Sequence, residues 1–434
     1  MIKKLVIVLV AFFAIQSYGQ QGTASPYSFY GIGTLKFKGT VENRSMGGLS
    51  IYTDSIHVNL RNPAAYASPN LTVWNKENRP IKFSVGASNN STTLKANSGE
   101  AEVSSTTFDY LALSMPLGKF GFGFGLVPYS AVGYKLEDTN EDVITNRYSG
   151  EGGVNRAFLG LGYSISDKLS VGVDMNYNFG NIQNTAIEFV YDDEGNLVQY
   201  QSRESNRSDL SGLNFNIGLT YKTMINEKLE LQAGLTYSPK SDLSSINERS
   251  FSTIVINASS GQEFLVNEVD GNLEAEGLAE TNLTLPSRFS FGAGIGKPRA
   301  WFVGGEYTRQ NTSEFANPIV SIQNSNFENA SNVSFGGFFI PDYNSFGSYW
   351  KRLTYRAGFY FENTGLVINE ETINEFGISF GVGLPVGNVF SNANLGVEYG
   401  KRGTTNQNLI EENFLSLKIS LSLNDRWFEK RKYN

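Results

Sequence analysis

The 434-residue chain contains one histidine, His57, and no cysteine. Thiolate zinc sites, cysteine nucleophiles and disulfides are therefore excluded. A hydrolytic site would need a Ser-His pair or paired acids. The sequence has no Gly-x-Ser-x-Gly elbow, no His-Glu-x-x-His and no glycine-rich phosphate loop ahead of a helix. The acidic pairs Asp138/Glu141 and Asp192/Asp193 lie in polar stretches and read as solvated surface charge, with calcium binding as the lesser alternative. Asp54 reads as an acceptor for local backbone N–H groups, and His57 as a satisfied interior histidine or a group that orients a ligand. No catalytic residue, metal or cofactor is expected, and the chain does not read as an enzyme. The net charge of −7, without a basic patch, gives no nucleic-acid footprint.

What chemistry remains is the chemistry of a surface that alternates. In "LSVGVDMNYNFG", Leu169, Val171, Val173, Met175, Tyr177 and Phe179 share one face, and Ser170, Gly172, Asp174, Asn176, Asn178 and Gly180 share the other. "IKFSVGAS", "LNFNIGLTYK" and "FLSLKISLSL" repeat the pattern. A period of two defines strands with one apolar and one polar face. A soluble antiparallel sheet also has such strands. The segment length near ten, the Gly-, Asn- and Ser-rich polar face and the alternation of short with long connections favour a membrane barrel instead. Short connections fall at 116–119, 166–168, 225–228, 296–299 and 385–388; long polar loops are expected at 138–152, 191–208 and 244–281. Strands are expected near 81–89, 103–116, 119–137, 153–166, 168–190, 209–224, 228–243, 282–296, 300–311, 330–340, 349–362, 371–384, 389–402 and 411–424. The count is fourteen, or twelve if the tenth and its hairpin partner are dropped. Tyr163, Tyr221, Tyr237, Tyr399, Trp427 and Phe428 suit interfacial girdles.

The run "KFGFGFGLVPYSAVGYK" poses a local puzzle, because glycine and proline both weaken strands. In a barrel, Phe120, Phe122 and Phe124 face lipid and Gly121, Gly123 and Gly125 face the lumen, where a glycine row admits a second backbone close to the wall. Pro128 removes one ladder bond, so Pro128, Tyr129 and Ser130 mark a bulge or inward kink, or a harmless irregularity above the hydrocarbon.

Residues 1–19 read as a secretory signal: Lys3 and Lys4, then an apolar run from Leu5 to Ile15, then a small-residue exit at Ser17-Tyr18-Gly19. The run is too short to span a bilayer as a helix. Residues 20–76 are broken by Gly, Pro and Asn, yet carry Tyr27, Phe29, Tyr30, Ile32, Leu49, Ile51 and Tyr66. That composition reads as a plug, or hatch, within the barrel of residues 77–424, with a small periplasmic domain as the alternative. A basic tail occupies 425–434.

"MGGLSIYTDSIHVNLRNPAAYAS" resembles the amino-terminal hatch of FadL/TodX-type (OMPP1-like) transporters of long-chain fatty acids and hydrophobic compounds. The carrying residues are Gly47, Gly48, Asp54, Asn62, Pro63 and Ala64. "LPSRFSFGAGI" is similar to a strand opening of the same family, and the layout matches over the whole mature chain. The ending "NDRWFEKRKYN" departs from the usual aromatic terminus and looks like the form found in Bacteroidota. The resemblance implies a Gram-negative outer-membrane barrel with a third strand kinked to open a lateral gap.

Two functions are expected on these grounds. The first is a hatch-gated passive channel for hydrophobic or amphipathic small molecules such as fatty acids, with a lateral exit at Pro128, Tyr129 and Ser130. Its ligand would rest against Tyr27, Phe29, Tyr30, His57, Phe158 and Phe302, because the inner wall offers little other apolar surface. The second is a non-transporting barrel subunit of an outer-membrane secretion or assembly complex. Expected partners are outer-membrane lipid, the small hydrophobic cargo and, in the second case, other outer-membrane proteins. An open porin is disfavoured by the filled amino-terminal segment. Asp174, Lys222, Glu230, Arg288 and Glu306 point inward and either lock the hatch or hydrate the wall.

Overall fold

A computed structural model describes residues 22–67, 81–140, 143–257, 260–315, 324–386 and 391–425. The expected signal segment, the basic tail with Trp427 and Phe428, and residues 68–76 of the hatch lie outside the described residues.

The period-two segments form a closed antiparallel barrel of fourteen strands. They are β1 (Ile81–Ala96), β2 (Gly99–Leu117), β3 (Phe120–Asn140), β4 (Val143–Ser164), β5 (Leu169–Glu188), β6 (Gln201–Met224) and β7 (Glu230–Ser238, continued by Ser241–Ile256). β8 is broken into Glu263–Asp270, Glu280–Leu285 and Arg288–Lys297; β9 is Trp301–Gln310, and β10 is Ser325–Phe327 with Ala330–Phe339. β11 (Thr354–Ile368), β12 (Glu371–Val386), β13 (Ser391–Arg402) and β14 (Glu411–Asp425) complete the wall. β14 closes on β1 from Asp425↔Ile81 to Glu411↔Lys95. The tenth strand pairs with both neighbours, which settles fourteen over twelve.

Alternation sorts the side chains as the bilayer requires. Leu213, Phe215 and Ile217, or Leu415, Leu417 and Ile419, stand exposed on the outside. Their neighbours Asn214, Ser416, Lys418 and Ser420 are buried within. An outer face this apolar is the lipid-facing surface of a membrane barrel.

The expected long loops are corrected. β3 continues to Asn140 and β4 starts at Val143, so most of 138–152 is strand. Residues 201–208 belong to β6, and 244–256 and 263–270 are strand as well. Above the hydrocarbon neither face must be apolar, so the ladder runs on without the alternation that marks it lower down.

Two bulges reshape the lumen. In β3 the register shifts between Pro128 and Ser130, so Tyr129 has no partner on β4. In β2 it shifts opposite Gly86 and Ala87, which skips Asp109. One extra residue reverses inside and outside for everything beyond it. The β3 bulge turns Val132 and Tyr134 inward, and with inward apolar residues on the neighbouring strands this overturns the expectation of a wall with little inward apolar surface. Val132, Tyr134, Val154, Ile182, Leu210, Leu243, Leu283 and Leu285 pack inward around Ile32 of the hatch.

Candidate functional site

Residues 22–67 fill the lumen, and their local structure explains how. Thr40 and Asn43 cap the single-turn helix Val41–Arg44 reciprocally. The chain then turns through Gly47 and Gly48, with φ of 70° and 91°. A Cβ at Gly47 would lie 2.6 Å from the Phe359 carbonyl oxygen, so both its conformation and its closeness to the wall demand glycine. Asn62 Nδ2 donates to the Leu219 carbonyl (3.0 Å), and its Oδ1 accepts from Ala64 N–H (3.1 Å). Asn62 thus fixes the 3₁₀ turn Pro63–Ala67 against β6.

The glycine row receives that turn. A Cβ at Gly121 would strike the Tyr66 carbonyl, and one at Gly123 the Tyr66 ring. Gly125 differs: its space is taken by Leu111, Ala112 and Phe158 of the wall.

Ion pairs and hydrogen bonds fasten the hatch around the lumen. Lys38 bridges Glu362 and Glu375, both at 2.8 Å. Arg44 pairs with Glu398 at 2.6 Å, and Arg61 with Glu306 at 2.8 Å. Glu306 also accepts from Ser50 N–H at 2.7 Å, and Gln232 Oε1 accepts from Thr53 N–H at 3.0 Å. Of the inward charges expected from the sequence, Glu306 therefore binds the hatch, whereas Lys222 and Glu230 pair with each other at 3.2 Å. Glu362, Glu375 and Glu398 were missed. Glu398 was legible, as an acid on the small-residue face of "NLGVEYG".

Near the short-turn end Asp54 Oδ1 accepts from the N–H groups of Ile56 (2.8 Å) and His57 (2.7 Å), and Oδ2 meets His57 Nδ1 at 2.7 Å. Lys82 of β1 donates to the carbonyls of Asp54 and His57, both at 2.8 Å. Burial would raise the Asp54 carboxyl, but the His57 ring and Lys82 outweigh it and hold it well below the usual carboxylate range. Burial pushes the Lys36 ammonium down to about 8.

β2 and β3 part company above Leu111 and Leu126, the last of seven paired positions. Beyond them the described ladder bonds of β3 run to β4 and to the hatch, through Thr34↔Ala131, Leu35↔Ser130 and Lys36 N–H to the Tyr129 carbonyl (2.9 Å). Pro128 comes just after Leu126, the last exposed apolar residue on the outer face of β3, so the split opens at the upper margin of the apolar belt.

The residues expected to bind ligand do not converge. Tyr27 and Tyr30 line an apolar cavity of about 120 Å³, together with Tyr129, Leu285, Phe315 and Leu366. Phe29 instead packs edge-on against Tyr134, 5.0 Å between centroids. Phe158 belongs to a cluster with Tyr66 and Tyr110, and Phe302 to another with Tyr52 and Phe338. His57 borders a separate cavity of mixed polar and apolar lining. Tyr129 was expected at the kink, but its place in the cavity wall depends on the bulge.

Fold and site together define a membrane β-barrel with a bonded internal hatch and a wall split at its third strand. The chain belongs to the BamG family, whose pattern matches residues 1–434. No curated protein sequence matches it. Among solved structures, the Pseudomonas putida toluene transporter TodX superposes with a TM-score of 0.61 at 16% identity, over 92% of this chain and 100% of that one. A Pseudomonas aeruginosa FadL homologue gives 0.56 at 13% identity, over 91% and 99%. The CymD monoaromatic hydrocarbon channel gives 0.55 at 15% identity, over 88% and 97%. At these identities the likeness is one of fold.

Proposed function

We propose that the protein is an outer-membrane channel for passive uptake of small hydrophobic molecules, and not an enzyme. The observation that carries this reading is the apolar cavity at Tyr27, Tyr30 and Leu366, which reaches Tyr129 at the edge of the wall split. Its 120 Å³ compares with the roughly 150 Å³ that holds one benzene in an engineered cavity. A single-ring molecule is therefore the cargo favoured over an extended acyl chain. Cargo would enter between the raised strands, rest in the cavity and leave sideways beside Pro128 once the hatch segment at Thr34 and Leu35 yields. The only driving energy is the differential affinity of cargo for the two hatch positions.

The test is uptake of labelled toluene into liposomes carrying the protein. Leu366→Trp, which fills the cavity, should cut uptake by roughly tenfold or more, about 1.4 kcal/mol in binding terms. Equal uptake by the variant, or none by the wild type above protein-free liposomes, sinks the reading.

One observation favours a second reading, a barrel subunit of an outer-membrane assembly or secretion complex. The hatch is tied to three strands of the wall, β9, β12 and β13, by Glu306, Glu375 and Glu398, which suits a rigid scaffold better than a moving gate. Co-purification of stoichiometric outer-membrane partners, with no toluene uptake, would select it.

A further inference from the structure

Beside the split, on the opposite side of hatch residues 34–38 from the apolar cavity, lies a second cavity of about 110 Å³, bounded by the hatch and by β1, β2, β12, β13 and β14 and rich in charge. Four of its five cations are engaged: Lys38 on Glu362 and Glu375, Arg44 and Lys418 on Glu398, and Arg402 on Glu375. The fifth, Lys36, donates no side-chain hydrogen bond and forms no ion pair among the described residues. Asp109 Oδ1 accepts from the hydroxyls of Ser88 (2.9 Å) and Thr107 (3.1 Å). Its carboxylate meets no cation within ion-pair distance among the described residues, and Oδ2 has no described partner. Asp109 nevertheless supplies the strongest favourable field at Lys36.

The two charges sit on opposite banks of the split. Lys36 is held to β3 through its N–H bond to Tyr129, the bulged residue there. Asp109 is the bulged residue of β2. Close to them the exposed outer apolar run ends, on β2 at Leu111 and on β3 at Leu126, at the depth where lipid headgroups begin. Both side chains are half-buried, and a partly desolvated ammonium or carboxylate without a counter-charge gains from an opposite charge brought to it. A lone anion would satisfy Lys36 and be repelled by Asp109; a lone cation would meet the reverse.

We propose that this cavity binds a zwitterionic headgroup, its anionic group on Lys36 and its ammonium on Asp109, admitted sideways between β2 and β3. Phosphoethanolamine chemistry fits both the charges and the size. The inference does not depend on which cargo the apolar cavity takes.

The experiment exposes the full mature protein to vesicles of equimolar phosphatidylethanolamine and phosphatidylglycerol, then measures by native mass spectrometry which lipid survives detergent washing. Phosphatidylethanolamine should be retained in roughly tenfold excess. Lys36→Met and Asp109→Asn should each abolish the preference while keeping the heat-modifiable gel migration of a folded barrel. If either variant misfolds, a photoreactive phosphatidylethanolamine on the wild type must label 34–38 or 103–109. Displacement by soluble O-phosphoethanolamine at equal concentration would make a free zwitterion, rather than a lipid, the ligand. Equal retention of the two lipids, retention of the preference by both variants, or labelling elsewhere overturns the proposal.

Discussion

Glu398 shows how much a single side chain does here. It is almost fully buried on β13, accepts from Arg44 and Lys418, and receives a hydrogen bond from the Tyr360 hydroxyl. Removing one partner from a buried ion pair strands the other charge and costs about 3–5 kcal/mol. Glu398→Gln should therefore loosen the hatch around Arg44, lower the melting temperature and expose residues 40–50 to limited proteolysis. A digestion pattern unchanged from wild type would show that Arg44 finds another partner. Asp54 gives a prediction with a sign. Its carboxyl is lowered in the folded state, so its stabilisation is complete above the usual aspartate value of 3.8 and is lost as pH falls below it. Acidification from pH 7 to pH 3 should loosen residues 54–57 in the wild type more than in Asp54→Asn, read as hatch proteolysis at each pH. At this scale the sequence exposes residue types but not meetings. His57 and Asp54 stand out by rarity and position, whereas Lys82 against their carbonyls depends on a barrel strand returning to the hatch.

Strands were the most legible level, because the bilayer enforces alternation over ten residues and more. The Leu- and Phe-bearing faces of β5, β6 and β14 come directly from it. What the alternation conceals is any place where it changes phase. Pro128 announces the β3 bulge, but nothing in "STTFDYLAL" announces that Asp109 is skipped in β2. The β3 bulge turns the strand beyond it over, so the inward packing of Val132 and Tyr134 was hidden within a strand that was otherwise recognised. Polar strands above the membrane resemble loops, since solvent on both sides removes the constraint that makes a strand recognisable. The glycine row was readable for the opposite reason: glycines alternating with phenylalanines signal a close approach, which the hatch makes at Gly121 and Gly123 and the wall itself at Gly125. Gly121→Val should collide with the Tyr66 carbonyl and displace the turn Pro63–Ala67. Overpacking costs about 1–3 kcal/mol, and backbone cannot yield as a side chain does. Gly347→Ala, where a Cβ would meet nothing within 4 Å, is the matched control. Melting curves that coincide for the two variants would show that the turn is not fixed where Gly121 meets it.

For the whole molecule, the question is whether a barrel of fourteen strands conducts. Its wall encloses more space than its own side chains fill, and the hatch occupies the remainder through contacts with β3, β6, β9, β11, β12 and β13. The described cavities, each near 120 Å³ or less, lie on different sides of the hatch, with the Lys38, Arg44 and Arg61 ion pairs between hatch and wall. Ions crossing the barrel would have to break those pairs. The wild-type protein in a planar bilayer should therefore show no steady conductance. Glu306→Gln combined with Glu398→Gln removes the acceptors on two well-separated strands while sparing the strand ladder. The double variant should flicker between closed and open levels, with open events rising as salt screens the remaining Lys38 pairs. A steady wild-type current would mean that the hatch does not seal the lumen. A silent double variant would mean that the hatch is held by packing, around Tyr66 and the glycine row, rather than by charge. That outcome would shift the balance toward a fixed scaffold, since a plug held by close backbone contact has no small rearrangement by which to open.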